Sequence, residues 1–201
     1  MNENKVIAFF DFDGTITNRD IFWDFTFFRL KNGLSVLKVV KALPDFALYL
    51  AKVLNNEQAK QRIFSKLFKD ESLDSFNNSV EKYHQTHIYK RVKKDALDRI
   101  KWHKNSMHQV CIVSANFDLI LHKFAQANQI RLISTQIQVE NNLITGKFAT
   151  RNCYGEEKVS RIKSIFPDIN SYTKIFAYGD SKGDLQMLDL ATEKFYCFFK
   201  K

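Results

Sequence analysis

Apolar residues fall along this chain in two rhythms. Five short runs, residues 6–12, 110–114, 132–135, 175–178 and 195–199, are rich in β-branched and aromatic side chains. Each is too short for a helix, so each predicts a buried strand. Between them the period lengthens. Phe117, Ile120, Leu121, Phe124 and Ala125 share one helical face, and Val159, Ile162, Ile165 and Phe166 share another that Pro167 ends. Strands alternating with helices predict an α/β fold with a parallel sheet covered on both sides. Residues 137–139 and 143–148 flank Asn141-Asn142, a pair that tolerates positive φ, which predicts a hairpin.

The stretch from residue 17 to 89 differs. It holds no strand-like run and predicts several helices inserted after the first strand, before the chain returns to the sheet. The organisation expected is therefore an α/β core over residues 1–16 and 90–201, with a helical insertion over 17–89. Within the insertion, Lys38, Lys41, Asp45 and Lys52 share one helical face, and Pro44 predicts a break or a helix start. Apolar residues fill most of the remaining positions in 34–54. Such a face suits either packing on neighbouring helices or an anionic membrane surface. In a Phe-rich chain the expectation is packing.

Composition changes this picture little. Six Gly and two Pro in 201 residues exclude a turn-dense all-β array, and the 19 Phe need a sizeable core. No run reaches the ~18 apolar residues of a membrane span. The polar start Met1-Asn2-Glu3-Asn4-Lys5 lacks the regions of a secretory signal, and three distant cysteines, Cys111, Cys153 and Cys197, match no disulfide framework or metal motif. A cytoplasmic location is expected. The net charge of +9 is expected to reflect a Lys-rich surface and not a nucleic-acid site; any partner it attracts is anionic.

Candidate chemistry lies at strand ends. Asp11-Phe12-Asp13-Gly14-Thr15 follows the first strand, and alternation points Asp11 and Asp13 the same way. Gly179-Asp180-Ser181-Lys182-Gly183-Asp184 follows the strand at 175–178. Ligand crevices of open α/β sheets lie at such ends, and four carboxylates together there need a hard divalent cation, Mg²⁺ before zinc-type metals. Ser114, before the helix from Phe117, suits either a phosphate oxygen or an ordinary N-cap. Lys158 sits in a first helical turn, where the dipole disfavours a cation; it suits either a role in the site or, as the first expectation, a solvated surface lysine.

This order of motifs resembles the haloacid dehalogenase-like phosphohydrolase superfamily, in its phosphoserine phosphatase-like branch, whose helical cap matches the insertion. The resemblance implies a Rossmann-like core and a Mg²⁺-dependent phosphatase acting on a small phosphorylated substrate. It implies Asp11 as the nucleophile that becomes an aspartyl-phosphate, and Asp13 as acid and then base. It assigns Mg²⁺ to Asp11, the Asp13 carbonyl, Asp180 and, directly or through water, Asp184. It assigns phosphoryl oxygens to Ser114, Ala115 and Lys158. Asp20 stands where the branch has a Glu facing the substrate amine. Arg62 is either the cap's anion-binding residue or a solvated helix Arg.

Two departures separate this chain from phosphoserine phosphatases. Ala115-Asn116 replaces Gly-Gly, and Gly183 replaces an Asn expected to touch substrate. Two other readings compete with a small-molecule phosphatase. One is a lipid phosphate phosphatase similar to phosphatidylglycerophosphate phosphatases. The other is a non-catalytic basic binding domain. His84 and His87 are expected at the surface, and Lys90, Arg91, Lys93 and Lys94 on a solvated helix face.

Overall fold

The computed structural model describes residues 5–200; the polar start at residues 1–4 lies outside them. The chain begins with strand β1 (Val6–Phe10) and a tight turn over Phe12–Ile16. Helices α1 (Ile21–Lys31), α2 (Val36–Leu50), α3 (Asn56–Phe68), α4 (Leu73–Thr86) and α5 (Lys94–Asn105) follow. The sheet resumes with β2 (Gln109–Phe117), α6 (Asp118–Ala127) and β3 (Arg131–Thr135). A hairpin, β4 (Ile137–Glu140) and β5 (Leu143–Phe148), precedes α7 (Glu156–Ile165), β6 (Lys174–Gly179), α8 (Leu185–Leu190) and β7 (Glu193–Tyr196).

Five parallel strands lie in the order β3-β2-β1-β6-β7. Alternation sends Ile7 and Phe9 to one apolar cluster with Cys111, Val113 and Ile162, and Ala8 and Phe10 to another with Ile112 and Tyr178. The sheet is thus buried on both faces, as the unbroken apolar runs require. The chain leaves β1 for β2 on one side and returns to β6 on the other. The C-terminal ends of β1, β2 and β6 therefore surround one crevice.

The second cluster does not stop at the sheet. It runs through Phe22, Phe25, Phe64, Phe68, Phe76 and Tyr83 of the inserted helices. Phe117 at the end of β2 joins the two parts, with ring centroids 5.1 Å from Phe22 and 4.7 Å from Phe64. The inserted helices therefore share the core of the sheet. The β4–β5 hairpin packs there too: Phe148 lies 5.4 Å from Phe117. Its turn has Asn141 and Asn142 both at positive φ, the conformation a two-residue hairpin turn demands.

The structure corrects several expectations. Pro44 neither breaks nor starts a helix: α2 runs through it. Proline there removes the bond to the Val40 carbonyl, but both residues lie on the outward face, where water reaches that oxygen. Residues 34–54 do not pack as expected. Leu34, Ala42 and Leu54 are buried, while Val36, Leu37, Val40, Leu43 and Leu50 are exposed. The basic run at 90–94 is no solvated helix face, since α5 starts only at Lys94. Arg91 Nε instead lies 3.0 Å from the buried Asp24, and Lys93 Nζ donates to the Gly14 carbonyl at 2.5 Å. Among the described residues no helix is long and apolar enough to cross a membrane.

Candidate functional site

Three loop features build the site. After β1 the chain must turn at once, and Gly14 does this at φ +81°. A Cβ at Gly14 would lie 2.1 Å from an Asp180 oxygen, so only glycine lets the two loops approach. After β6, Asp184 folds the loop back on itself. Its Oδ2 accepts from the Ser181 hydroxyl at 2.7 Å and from the backbone N–H groups of Ser181 at 2.9 Å and Asp180 at 3.1 Å. In β2, pairing with β3 slips between Ser114 and Phe117. This bulge frees Ala115 and Asn116 from the ladder, bringing Ala115 to the crevice and the Asn116 side chain against Asp13.

Oxygens of Asp11, Asp180 and Asp184 all lie within 4.8 Å of one another. Lys158 reaches them from the first turn of α7. Its Nζ donates to Asp11 Oδ1 at 2.6 Å, to Asp184 Oδ1 at 2.6 Å and to the Val113 carbonyl at 2.7 Å, with the residue 1% exposed. Every ammonium proton is therefore used. Lys158 is not a surface lysine that the fold could ignore. It is a buried counter-ion, and the helix dipole penalty in α7 is offset by two carboxylates.

The charges compete. Burial pushes the Asp11 carboxyl up to about 7; Lys158 pulls it down, and Asp184 pushes it further up. Burial also raises Asp184, but Lys158 and the Ser181 bonds outweigh it and hold that carboxyl below its ordinary value. Burial raises Asp180, against the Thr15 hydroxyl that donates to it at 3.0 Å. On Lys158, burial favours the neutral amine, and the two carboxylates override it, holding the ammonium above its ordinary range. One lysine thus leaves negative charge in excess. An all-oxygen set of crowded carboxylates, one of them held near neutrality, fits a hard divalent cation such as Mg²⁺.

Asp13 lies beside this group and is bound differently. Its Oδ1 accepts from the Ile21 N–H at 2.8 Å and its Oδ2 from Asn116 Nδ2 at 2.9 Å. The Asn116 orientation is fixed, because its Oδ1 accepts from the Phe117 N–H at 2.7 Å. Burial and the charges of Asp20 and Asp11 raise Asp13 well above the ordinary carboxylate value, against the Ile21 donor. A carboxyl raised in this direction is suited to proton transfer.

These groups line a cavity of about 340 Å³ with Ser114, Ala115, Asp20, Arg19, Asn56, Lys60 and Tyr154. Of the residues singled out from sequence, Asp11, Asp13, Asp20, Ser114, Ala115, Lys158, Asp180 and Asp184 meet there. Asp20 also caps α1, accepting from the Trp23 N–H at 3.2 Å. Arg62 does not reach the cavity. It is 55% exposed and points at Asp45 on α2, 3.8 Å away. Two residues along a helix is a turn of about 200°, so the α3 face that meets the site carries Asn56 and Lys60 instead. Lys60 Nζ donates to the Ala115 carbonyl at 3.2 Å. The i, i+4 spacing of Asn56 and Lys60 was the available signal for that face.

Gly183 has a structural explanation. A Cβ there would lie 2.2 Å from the Tyr154 ring, so Tyr154 occupies the space that an Asn side chain would need.

Comparison with known proteins agrees with this geometry. Over its whole length the chain is 28% identical to Protein CicA of Caulobacter vibrioides (strain NA1000 / CB15N), covering 89% of that protein. It is 26% identical to the phosphoserine phosphatase of Methanocaldococcus jannaschii, over 95% of this chain and 84% of that one. A crystal structure of a protein of unknown function from Bordetella pertussis Tohama I superposes with a TM-score of 0.83 at 20% identity, covering 94% of this chain and 88% of that one. The model of the haloacid dehalogenase-like hydrolases matches residues 8–189, which include both acidic strand-end motifs and Lys158, and the chain belongs to that family.

Proposed function

We propose that this protein is a Mg²⁺-dependent phosphatase that hydrolyses a small phosphomonoester through an aspartyl-phosphate on Asp11. The observation that carries this reading is the different binding of two neighbouring carboxyls. Asp11 is held by the Lys158 ammonium at 2.6 Å, whereas Asp13 beside it accepts from the Ile21 N–H and Asn116, and burial raises its carboxyl well above the ordinary value.

In the first half-reaction an Asp11 oxygen attacks phosphorus, the bond to the leaving oxygen breaks, and Asp13 gives that oxygen its proton. In the second half, Asp13 takes a proton from water as the water oxygen attacks phosphorus. The Asp11–phosphorus bond then breaks and its electrons return to the carboxylate. Lys158 stays charged throughout, orients Asp11 and offsets the charge that gathers on the phosphoryl oxygens. The Ala115 backbone N–H, freed by the bulge, offers a donor at the cavity floor, while the Asn116 N–H is taken by the Ser114 hydroxyl oxygen at 3.0 Å. Mg²⁺, held by Asp11, Asp180 and the Asp13 carbonyl with Asp184 acting directly or through water, would supply positive charge against those same oxygens. The inserted helices act as a cap: α3 supplies Asn56 and Lys60 to the mouth and limits the substrate to what a 340 Å³ cavity admits.

Phosphoserine itself fits this wall poorly. Tyr154 covers Gly183, and Asp20 is engaged in capping α1. A second reading, a phosphomonoester carried on a lipid, draws support from the exposed apolar side of α2. The test is hydrolysis of an aryl phosphate with Mg²⁺, its loss in EDTA and in Asp11→Asn, then a screen of phosphorylated metabolites beside phosphatidylglycerophosphate. Wild-type turnover in Asp11→Asn would overturn the assignment.

A further inference from the structure

Helix α2 is built inside out. Ala42 and Asp45 form the side that meets its neighbours: Asp45 is 4% exposed and bridges to Lys66 of α3 at 2.5 Å. The opposite side carries Val36, Val40, Leu43 and Leu50, with Val36 66% and Leu50 65% exposed. Phe27 of α1 and Val53 beyond α2 extend the same apolar surface. Singly exposed apolar residues are ordinary, but a continuous stripe along a 15-residue helix marks a surface that docks.

Charge says what covers it. Between residues 25 and 56 there are five basic residues and one acidic residue, Asp45. That acid is buried and neutralised by Lys66 and Arg62, whereas Lys31, Lys41 and Lys52 are exposed. The surface is therefore apolar, with a cationic margin and no exposed acid. A second copy paired by two-fold symmetry would bring these lysine margins together. An anionic bilayer neutralises them. Between α1 and α2 the surface opens into an apolar cavity of about 360 Å³, walled by Trp23, Phe27, Leu30, Leu43, Phe46 and Leu67, where the end of an acyl chain can enter.

We propose that α2 and the adjoining end of α1 dock this protein on an anionic phospholipid bilayer. The helix lies in the interface plane with its apolar side at the acyl boundary. Lys31, Lys41 and Lys52 extend to the lipid phosphates. This goes beyond the phosphatase reading and does not depend on it, because docking is measured without turnover. It also reverses the sequence-based expectation that this segment packs inside the protein.

The experiment is co-sedimentation of the full chain with vesicles of phosphatidylglycerol and phosphatidylcholine, against phosphatidylcholine alone, at low and high salt. Binding to the anionic vesicles at low salt is expected, weaker by about tenfold or more on phosphatidylcholine or at high salt. Leu43→Asp with Leu50→Asp should abolish it with an unchanged circular dichroism spectrum, since both positions face solvent. Lys41→Glu with Lys52→Glu should reduce binding to the phosphatidylcholine level, and this pair keeps the test valid if the aspartate variant fails to fold. Absence of binding at low salt, or wild-type binding by either variant, would refute the proposal. So would a dimer in sedimentation velocity that the aspartate variant splits, which would assign the surface to a second copy.

Discussion

Asp11→Asn should make the metal-free protein more stable while it abolishes turnover, and the size of the gain follows from the site. In the folded state the Asp11 carboxyl titrates at about 7, against an ordinary value of 3.8. The folded protein therefore binds this proton more tightly than the unfolded chain. Stability from that proton is fully present below pH 3.8 and is lost as pH rises to 7. Three pH units at about 1.4 kcal/mol each give about 4 kcal/mol. The pull of Lys158 is already inside that figure, because it acts only on the ionised carboxylate. Asparagine keeps the shape, still accepts from Lys158 and never ionises.

The two proteins should thus be equally stable near pH 4 and diverge as pH rises. The gap should be between 1 and 2 kcal/mol at pH 5, about 4 kcal/mol at pH 7, and level above that. Urea unfolding in EDTA, followed by circular dichroism across this range, measures it. Mg²⁺ should then close the gap by stabilising the wild type more, since the variant lacks one ligand charge. A variant no more stable than wild type at pH 8 in EDTA would show that the fold does not hold Asp11 at a loss. The acidic centre would then carry no cost for folding.

Lys60→Ala should raise KM for an aryl phosphate about tenfold, a loss of ~1.4 kcal/mol, while Arg62→Ala stays within about twofold; equal effects in steady-state kinetics would contradict the facing of α3. Asn116→Leu removes a donor to Asp13, so its carboxyl rises further, and the limb of the pH–rate profile governed by Asp13 should move to higher pH with kcat down about tenfold. An unmoved profile would make Asn116 merely structural. Lys158→Met should slow the reaction by roughly 10²-fold or more. It should also destabilise the fold by about 3 kcal/mol at pH 8, where Asp11 and Asp184 would face each other unpaired, and by less at pH 6, where Asp11 takes up a proton. Equal stability in denaturant at both pH values would refute the counter-ion role.

Much of the sheet was legible because a strand buried on both faces must be apolar at every position. Residues 175–178 and 132–135 lie inside β6 and β3, each one residue short at its start or at both ends. The ends were harder. Residues 12 and 197–199 are apolar yet lie outside the ladder, since the chain turns over Phe12–Ile16 at Gly14 and Cys197 adopts positive φ. The strand-end carboxylates were legible for a related reason: nothing in folding alone places Asp11, Asp13, Asp180 and Asp184 together. Lys158 was singled out by its place in the motif order, but its burial was not legible, because that depends on two carboxylates 147 and 26 residues away. Asn116 was noticed only as a departure, and its partner Asp13 is 103 residues distant.

What periodicity could not supply was direction. A helical period states that two faces differ, and burial decides which of them turns inward. In α3 the same thirteen residues offer Arg62 on one side and Lys60 on another, and both are plausible anion binders by type. The choice is made by Asp45, which draws Arg62 and Lys66 toward α2 and leaves Lys60 for the cavity. That one buried carboxylate also sets α2. Once it is turned inward to meet those two cations, the helix must present the residues about half a turn away, Val36, Val40, Leu43 and Leu50, to the outside. Replacing Asp45 with leucine removes the ionic anchor and leaves Arg62 and Lys66 without their acid. The position facing α3 would then be apolar, like the outward side, and α2 would lose the asymmetry that holds its apolar face out. Vesicle binding by Asp45→Leu should therefore fall, although Asp45 itself is buried and cannot touch a lipid. Undiminished binding would show that packing of Ala42 and Val39 alone fixes the facing of α2.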